Sequence, residues 1–259
     1  MVGSLALNVG MPCLAFSALT RLDVSFTAFV EMAGAYGLVL LCFLFVGLAT
    51  IFVLRLPAHT YLPVFTSSNT GNMGLPLCLF AFGSEGLAFA ICIFVMSSVF
   101  SFTVGWSIYA GRLAADVLYN NPLIYAVGLA LVFISMDVSV PTWLANTTKL
   151  VGGLAIPLML ISLGVAIAKL NAHGASRIII ICIIKLMTGF LIGYFIARFW
   201  GLEGAAAGVI MIQSAMPVAV HNYMFAQRFN RSPSDTASLI LISTAVSMST
   251  LPLLMFVVL

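Results

Sequence analysis

The sequence predicts an all-α integral membrane protein, built as an inverted repeat in which two helices are broken and cross each other. Three observations lead there. Of 259 residues, 63% are hydrophobic and only 7% charged, against about 25% charged in soluble domains. The apolar residues gather into runs close to the ~20 residues that a helix needs to cross a bilayer. Two of those runs are interrupted by small polar residues, glycine and proline, at places that correspond between the halves of the chain. A soluble globular protein is excluded. The net charge of +3 says little about partners, because its distribution matters more than its sum.

Nine apolar segments can be counted, over residues 2–20, 27–54, 61–82, 86–110, 121–136, 141–170, 175–199, 203–228 and 234–259. The first begins almost at once and has no basic n-region before it, so no cleavable signal peptide is expected. The connections are short and hold most of the charge. Assigned alternately to two faces, they place Arg55, Arg112, Lys169, Arg177, Arg228 and Arg231 on one side. The other side receives Arg21 and Arg198, with Lys149 near it. Cytoplasmic loops carry the Lys/Arg excess, so the N-terminus is expected inside and the C-terminus outside, most simply in the inner or plasma membrane. No linker or soluble domain is visible; residues 1–259 read as one membrane domain.

An internal repeat divides that domain into residues 1–110 and 111–259. Pro12-Cys13-Leu14-Ala15-Phe16-Ser17 in the first segment resembles Pro157-Leu158-Met159-Leu160-Ile161-Ser162 in the sixth, an offset of 157 − 12 = 145. Pro76 in the third answers Pro217 in the eighth, an offset of 217 − 76 = 141. Each pair lies five segments apart, an odd number, so the copies point in opposite directions through the membrane. Such inverted repeats are a hallmark of secondary transporters. Two five-helix copies would need ten helices, and the first copy lacks its opening one.

The third segment contains Thr66-Ser67-Ser68-Asn69-Thr70-Gly71-Asn72-Met73-Gly74-Leu75-Pro76. Pro76 has no amide proton and its ring crowds the preceding turn, so the helix is expected to kink or open there. Opened backbone at membrane depth survives only where protein buries it or water reaches it. The eighth segment answers with Met211-Ile212-Gln213-Ser214-Ala215-Met216-Pro217-Val218-Ala219-Val220-His221-Asn222. Gly71, Gly74, Pro76 and Pro217 are therefore read as helix-breaking residues. Asn69, Thr70, Asn72, Gln213, Ser214, His221 and Asn222 are the candidate substrate contacts, with Asn69, a hydrogen-bond donor beside the break, foremost. Ser67 and Ser68 stand beside them, and each of these polar residues also has a plain reading as interhelical glue.

At these residues the sequence resembles the auxin efflux carrier family, which includes the plant PIN-type auxin exporters and many bacterial permeases. Asn69-Thr70-Gly71-Asn72-Met73-Gly74-Leu75-Pro76 is similar to the family's N-T-x-x-M-G-[IL]-P crossover. Gln213-Ser214-Ala215-Met216-Pro217, followed by Phe225-Ala226, is similar to its second crossover. Asn121-Pro122-Leu123-Ile124, Pro141 and Leu163-Gly164 also match, in order. The resemblance implies ten helices in two inverted repeats, of which nine are present here, a scaffold group and a transport group, and organic anions such as small carboxylates as substrates. One departure is Thr188-Gly189-Phe190, where the PIN-type pattern has a proline after Thr-Gly.

Lys185 lies inside the seventh segment, where a buried cation is expensive and often functional. Snorkelling to the cytoplasmic face and attraction of an anion are both open for it, and the resemblance puts a basic residue here too. No Asp or Glu lies deep in any segment, so export driven by membrane potential is expected ahead of proton coupling. Sodium- or proton-coupled symport in a similar architecture is the alternative, with a shortened, non-transporting membrane protein behind it. An enzyme would want a nucleophile with a base, or a metal cluster. The sequence has no HExxH and no GxSxG, and His59, His173 and His221 are scattered. Cys13, Cys42, Cys78, Cys92 and Cys182 all fall in apolar runs without metal-like pairing. No cofactor, metal or nucleic acid is expected; the lipid bilayer and an organic anion are, and a homodimer is left open.

Overall fold

The structure is a computed structural model, and it describes residues 5–21, 25–111, 122–136, 138–168 and 175–258. Arg112, Asn121, Lys169 and His173, which entered the charge and motif readings above, lie outside the described residues. Among the described residues the chain is helical and contains no strand, in keeping with an all-α integral membrane protein. By length and composition, five helical stretches among the described residues can cross a membrane: Thr27–Leu54, Thr70–Ala110, Thr142–Ile161, Arg177–Phe199 and Pro233–Phe256.

A π-turn, Ala6–Gly10, leads into α1 (Met11–Arg21). α2 (Phe26–Leu54) is capped by Ser25, whose hydroxyl accepts from the Ala28 amide at 3.1 Å. It stops where Arg55 turns left-handed at φ 50°. α3 (Ala58–Thr66) is short, and after it the backbone leaves the helix. A second π-turn, Thr70–Gly74, opens α4 (Leu75–Phe100), which runs through a third, Ser101–Gly105, into α5 (Trp106–Ala110). Next come α6 (Pro122–Ser135), α7 (Thr142–Gly152), α8 (Ala155–Ala168) and α9 (Ala175–Phe199). α10 (Gly204–Ser214), α11 (His221–Phe229) and α12 (Pro233–Val258) complete the chain.

The expected boundary between residues 82 and 86 is real. Inside α4, Gly83 takes φ 65° and ψ −151°, a conformation that glycine adopts without steric cost. Gly83, Ser84 and Glu85 are all exposed there. The sixth segment, expected as one helix over 141–170, is two. Pro157 in the first turn of α8 has no amide to offer the Gly153 carbonyl, and the Gly152-Gly153 pair before it favours a turn at Gly153–Leu154.

In lipid, helices associate by close packing of small residues more than by burial from water. α1 packs against α6 and α7, and α9 against α10 and α12. The approaches are close at glycines. An added Cβ at Gly152 would stand 2.8 Å from the Leu14 amide nitrogen and Cα, so α7 lies directly on the backbone of α1. Gly189 and Gly193, four residues apart on α9, face Ser214 and Met211 of α10 in the same way. α8 touches the π-turn Thr70–Gly74, linking the α1, α6–α8 side of the molecule to the first break.

Candidate functional site: two broken helices joined at their openings

The two interruptions meet. Ser68 and Val218 form an isolated antiparallel bridge. The Asn69 amide donates to the Pro217 carbonyl at 2.8 Å, and the Ala219 amide donates to the Ser67 carbonyl at 3.0 Å. Each break thus satisfies backbone groups that the other break freed, which is how non-helical backbone persists at membrane depth. The Val218 amide donates to the Ser243 hydroxyl of α12 at 3.1 Å. Asn222 Nδ2 reaches the carbonyls of Ser67 (3.4 Å) and Ala219 (3.1 Å). Ser101, on the π-turn after α4, holds Ser67 by a hydroxyl–hydroxyl bond of 3.1 Å.

The openings are not where both prolines stand. Pro217 lies within the second one, between α10 and α11. The first opening spans Ser67–Asn69, whereas Gly71 and Gly74 lie in the π-turn and Pro76 in the first turn of α4. Pro76 follows helical backbone, and the wider register of the π-turn before it absorbs the bond that proline cannot give four residues back. The residues that face each other where the breaks meet are Ser68 and Val218, not Pro76 and Pro217.

Asn69 and Thr70 are 3% and 2% exposed, and Gln213, Ser214 and Asn222 are 0%. Several of their polar atoms have no hydrogen-bond partner among the described residues: Asn69 Nδ2, both amide atoms of Gln213, the Ser214 hydroxyl and Asn222 Oδ1. A buried polar atom left this way costs about 1–3 kcal/mol, so a cluster of them marks a place built for something else. Gln213 reaches across to the π-turn that follows the first break, where a Cβ on Gly74 would run into its Oε1 and push that amide aside. Asn72 is half-buried. An apolar cleft of about 250 Å³ lies beside the second opening, lined by Ala215 together with Leu186, Phe190, Thr250 and Leu254 among others.

His221 is placed differently from the amide residues. Its ring stacks on Phe102 (centroids 5.5 Å apart, 29° between planes) and tilts against Phe225 at 5.3 Å, with Nε2 buried and unpartnered. It belongs to an aromatic group with Trp106, Tyr109 and Phe229 that packs α11 on α5. Lys185 does not snorkel. It is 0% exposed and its ammonium donates to the Ser68 hydroxyl at 2.9 Å. Sequence reading left that residue undecided and missed Ser101 and Ser243. The signal for Lys185 was present, as a lysine within an apolar segment; the serines carried none, being ordinary in membrane helices.

Residues 116–255, just over half of the chain, match the family described as membrane transport protein. An uncharacterized transporter of Methanocaldococcus jannaschii is 24% identical over 269 aligned positions, covering 96% of this chain and 86% of that protein. The match runs through α6–α12 and includes the second break, and the first break carries the paired motif. The chain belongs to the membrane transport protein family, the family of the auxin efflux carriers.

Proposed function

We propose that this membrane transporter carries small organic anions, whose carboxylate is received at the joined breaks by Asn69 and Gln213 and whose body lies toward the apolar cleft at Ala215. The observation that supports this reading is the set of buried, unspent hydrogen-bonding groups on both breaks. Asn69 Nδ2 and Gln213 Nε2 are donors of the kind a carboxylate accepts, and half-helix ends at mid-membrane add partial charge. Thr70, Asn72, Ser214 and Asn222 complete the polar lining. Alternating access around this crossing moves the anion. An inside-negative potential favours its exit by about 2.3 kcal/mol per charge per 100 mV, without a coupled proton. The Lys/Arg bias of the loops supports a cytoplasmic N-terminus.

Asn69→Ala tests the site. One hydrogen bond to a charged group is worth about 1.5–3 kcal/mol, or roughly ten-fold to over a hundred-fold in affinity. Binding and vesicle flux of a labelled mono- and dicarboxylate panel should fall by that factor, with membrane insertion intact. Leu75→Ala, which trims a fully buried neighbour, controls for lost packing. Equal losses in the two variants would remove Asn69 from the site.

A further inference from the structure

Breaking α3 after Thr66 strands its last carbonyls. In a continuous helix the Phe65 carbonyl would accept from the Asn69 amide four residues on. Here that amide is spent on Pro217, across the crossing. The group that turns toward the Phe65 carbonyl instead is the Lys185 ammonium, at 3.5 Å, while its firm bond goes to the Ser68 hydroxyl at 2.9 Å. The same ammonium lies 4.7 Å above the Phe43 ring. None of these partners is a carboxylate, and the side chain is wholly buried. Burying a lone cation costs several kcal/mol. The stabilisation available is that of a helix C-terminus, which carries about half a negative charge, with the ring face adding to it.

That position is where a transporter with broken helices can seat a coupling cation, among unwound carbonyls and half-helix C-terminal ends. We infer that Lys185 is the crossing's built-in cation: its ammonium caps the carbonyl end of α3 in the place a sodium ion would take, and so makes the assembled crossing independent of sodium. The inference builds on the crossing being the transport site, but its test requires no transport.

The test is the thermal unfolding midpoint of the purified full chain in detergent, at equal concentrations of sodium, ethylammonium or choline chloride. The native chain should have the same midpoint in all three, within about a degree. Lys185→Ala should fall by several degrees in choline and regain at least half of that loss in sodium or ethylammonium. These small cations can enter the space the lysine vacates, and choline cannot. If Lys185→Ala yields no folded protein, Lys185→Gln keeps the hydrogen bonding without the charge and should show the same sodium gain, whereas Lys185→Arg should show none. A native midpoint raised by sodium over choline overturns the inference. So does a charge-free variant that is indifferent to every small cation, since a merely structural lysine would give that result. Carboxylate flux that depends on Asn69 can succeed or fail independently of either outcome.

Discussion

Gly189→Ala should destabilise the protein by about 1–3 kcal/mol, the usual cost of overpacking a close-packed interior, although glycine-to-alanine in a helix ordinarily gains about 1 kcal/mol. The sign reverses because of what the methyl would meet. An added Cβ at Gly189 would stand 2.4 Å from the Ser214 carbonyl oxygen and 3.1 Å from its carbonyl carbon. Both are backbone atoms at the last residue of α10, so no rotamer change relieves the contact. α9 and α10 would have to separate at the edge of the second opening, and the unpaired Ser214 and Gln213 side chains would move with α10. Gly128 on α6 is the control, exposed and with nothing within 4 Å of its added Cβ. Thermal unfolding in detergent should show Gly189→Ala below the native chain and Gly128→Ala at or above it. Parallel shifts in the two would mean that α9 and α10 do not approach as closely as described.

Ala219→Pro should uncouple the breaks. The Ala219 amide supplies one of the two backbone bonds flanking the Ser68–Val218 pair, and proline has no amide to give. Asn222 Nδ2 would still reach the Ser67 carbonyl at 3.4 Å, so the carbonyl is not wholly orphaned, but the paired geometry loses a rung. A loss of about 1–3 kcal/mol follows from a buried bond removed, and carboxylate flux should fall at least ten-fold because Asn69 and Gln213 lose their fixed separation. Ala219→Ser keeps the amide and should leave most of the flux. If the two substitutions act alike, the rung does not set the site.

The membrane character, the segments and the Gly83 boundary were legible because each depends on local chemistry: apolar runs, charge at their ends, glycine where φ turns positive. The existence of two breaks was legible for the same reason. Their position was not. Pro76 draws attention as a helix breaker, yet the chain opens at Ser67–Asn69, where the backbone exchanges hydrogen bonds with Pro217 and Ala219 about 150 residues away. No local rule contains that pairing. The π-turn before Pro76 absorbs its missing amide, while extended backbone is satisfied only by a partner, and the partner decides where the opening falls. Lys185 was undecidable for a related reason. A long stem can turn toward a membrane surface or toward the crossing, and the Ser68 hydroxyl that holds its ammonium lies 117 residues away in sequence. His221 matched the spacing of a site residue, but its ring is held by Phe225 one turn on in its own helix and by Phe102 of the π-turn after α4, and sequence order does not reveal the second contact.

The central claim, that the joined breaks pass an organic anion without a coupled cation, is tested most directly by flux in proteoliposomes under an imposed potential. Sodium-free vesicles loaded with a labelled dicarboxylate, with pH clamped equal on both sides, are given a potassium–valinomycin potential. Net anion flux should appear on imposing the potential, reverse when its sign is reversed, and be absent from protein-free vesicles. Flux that ignores the potential and starts only with a sodium or pH difference, or no flux of any carboxylate in the panel, would contradict the account.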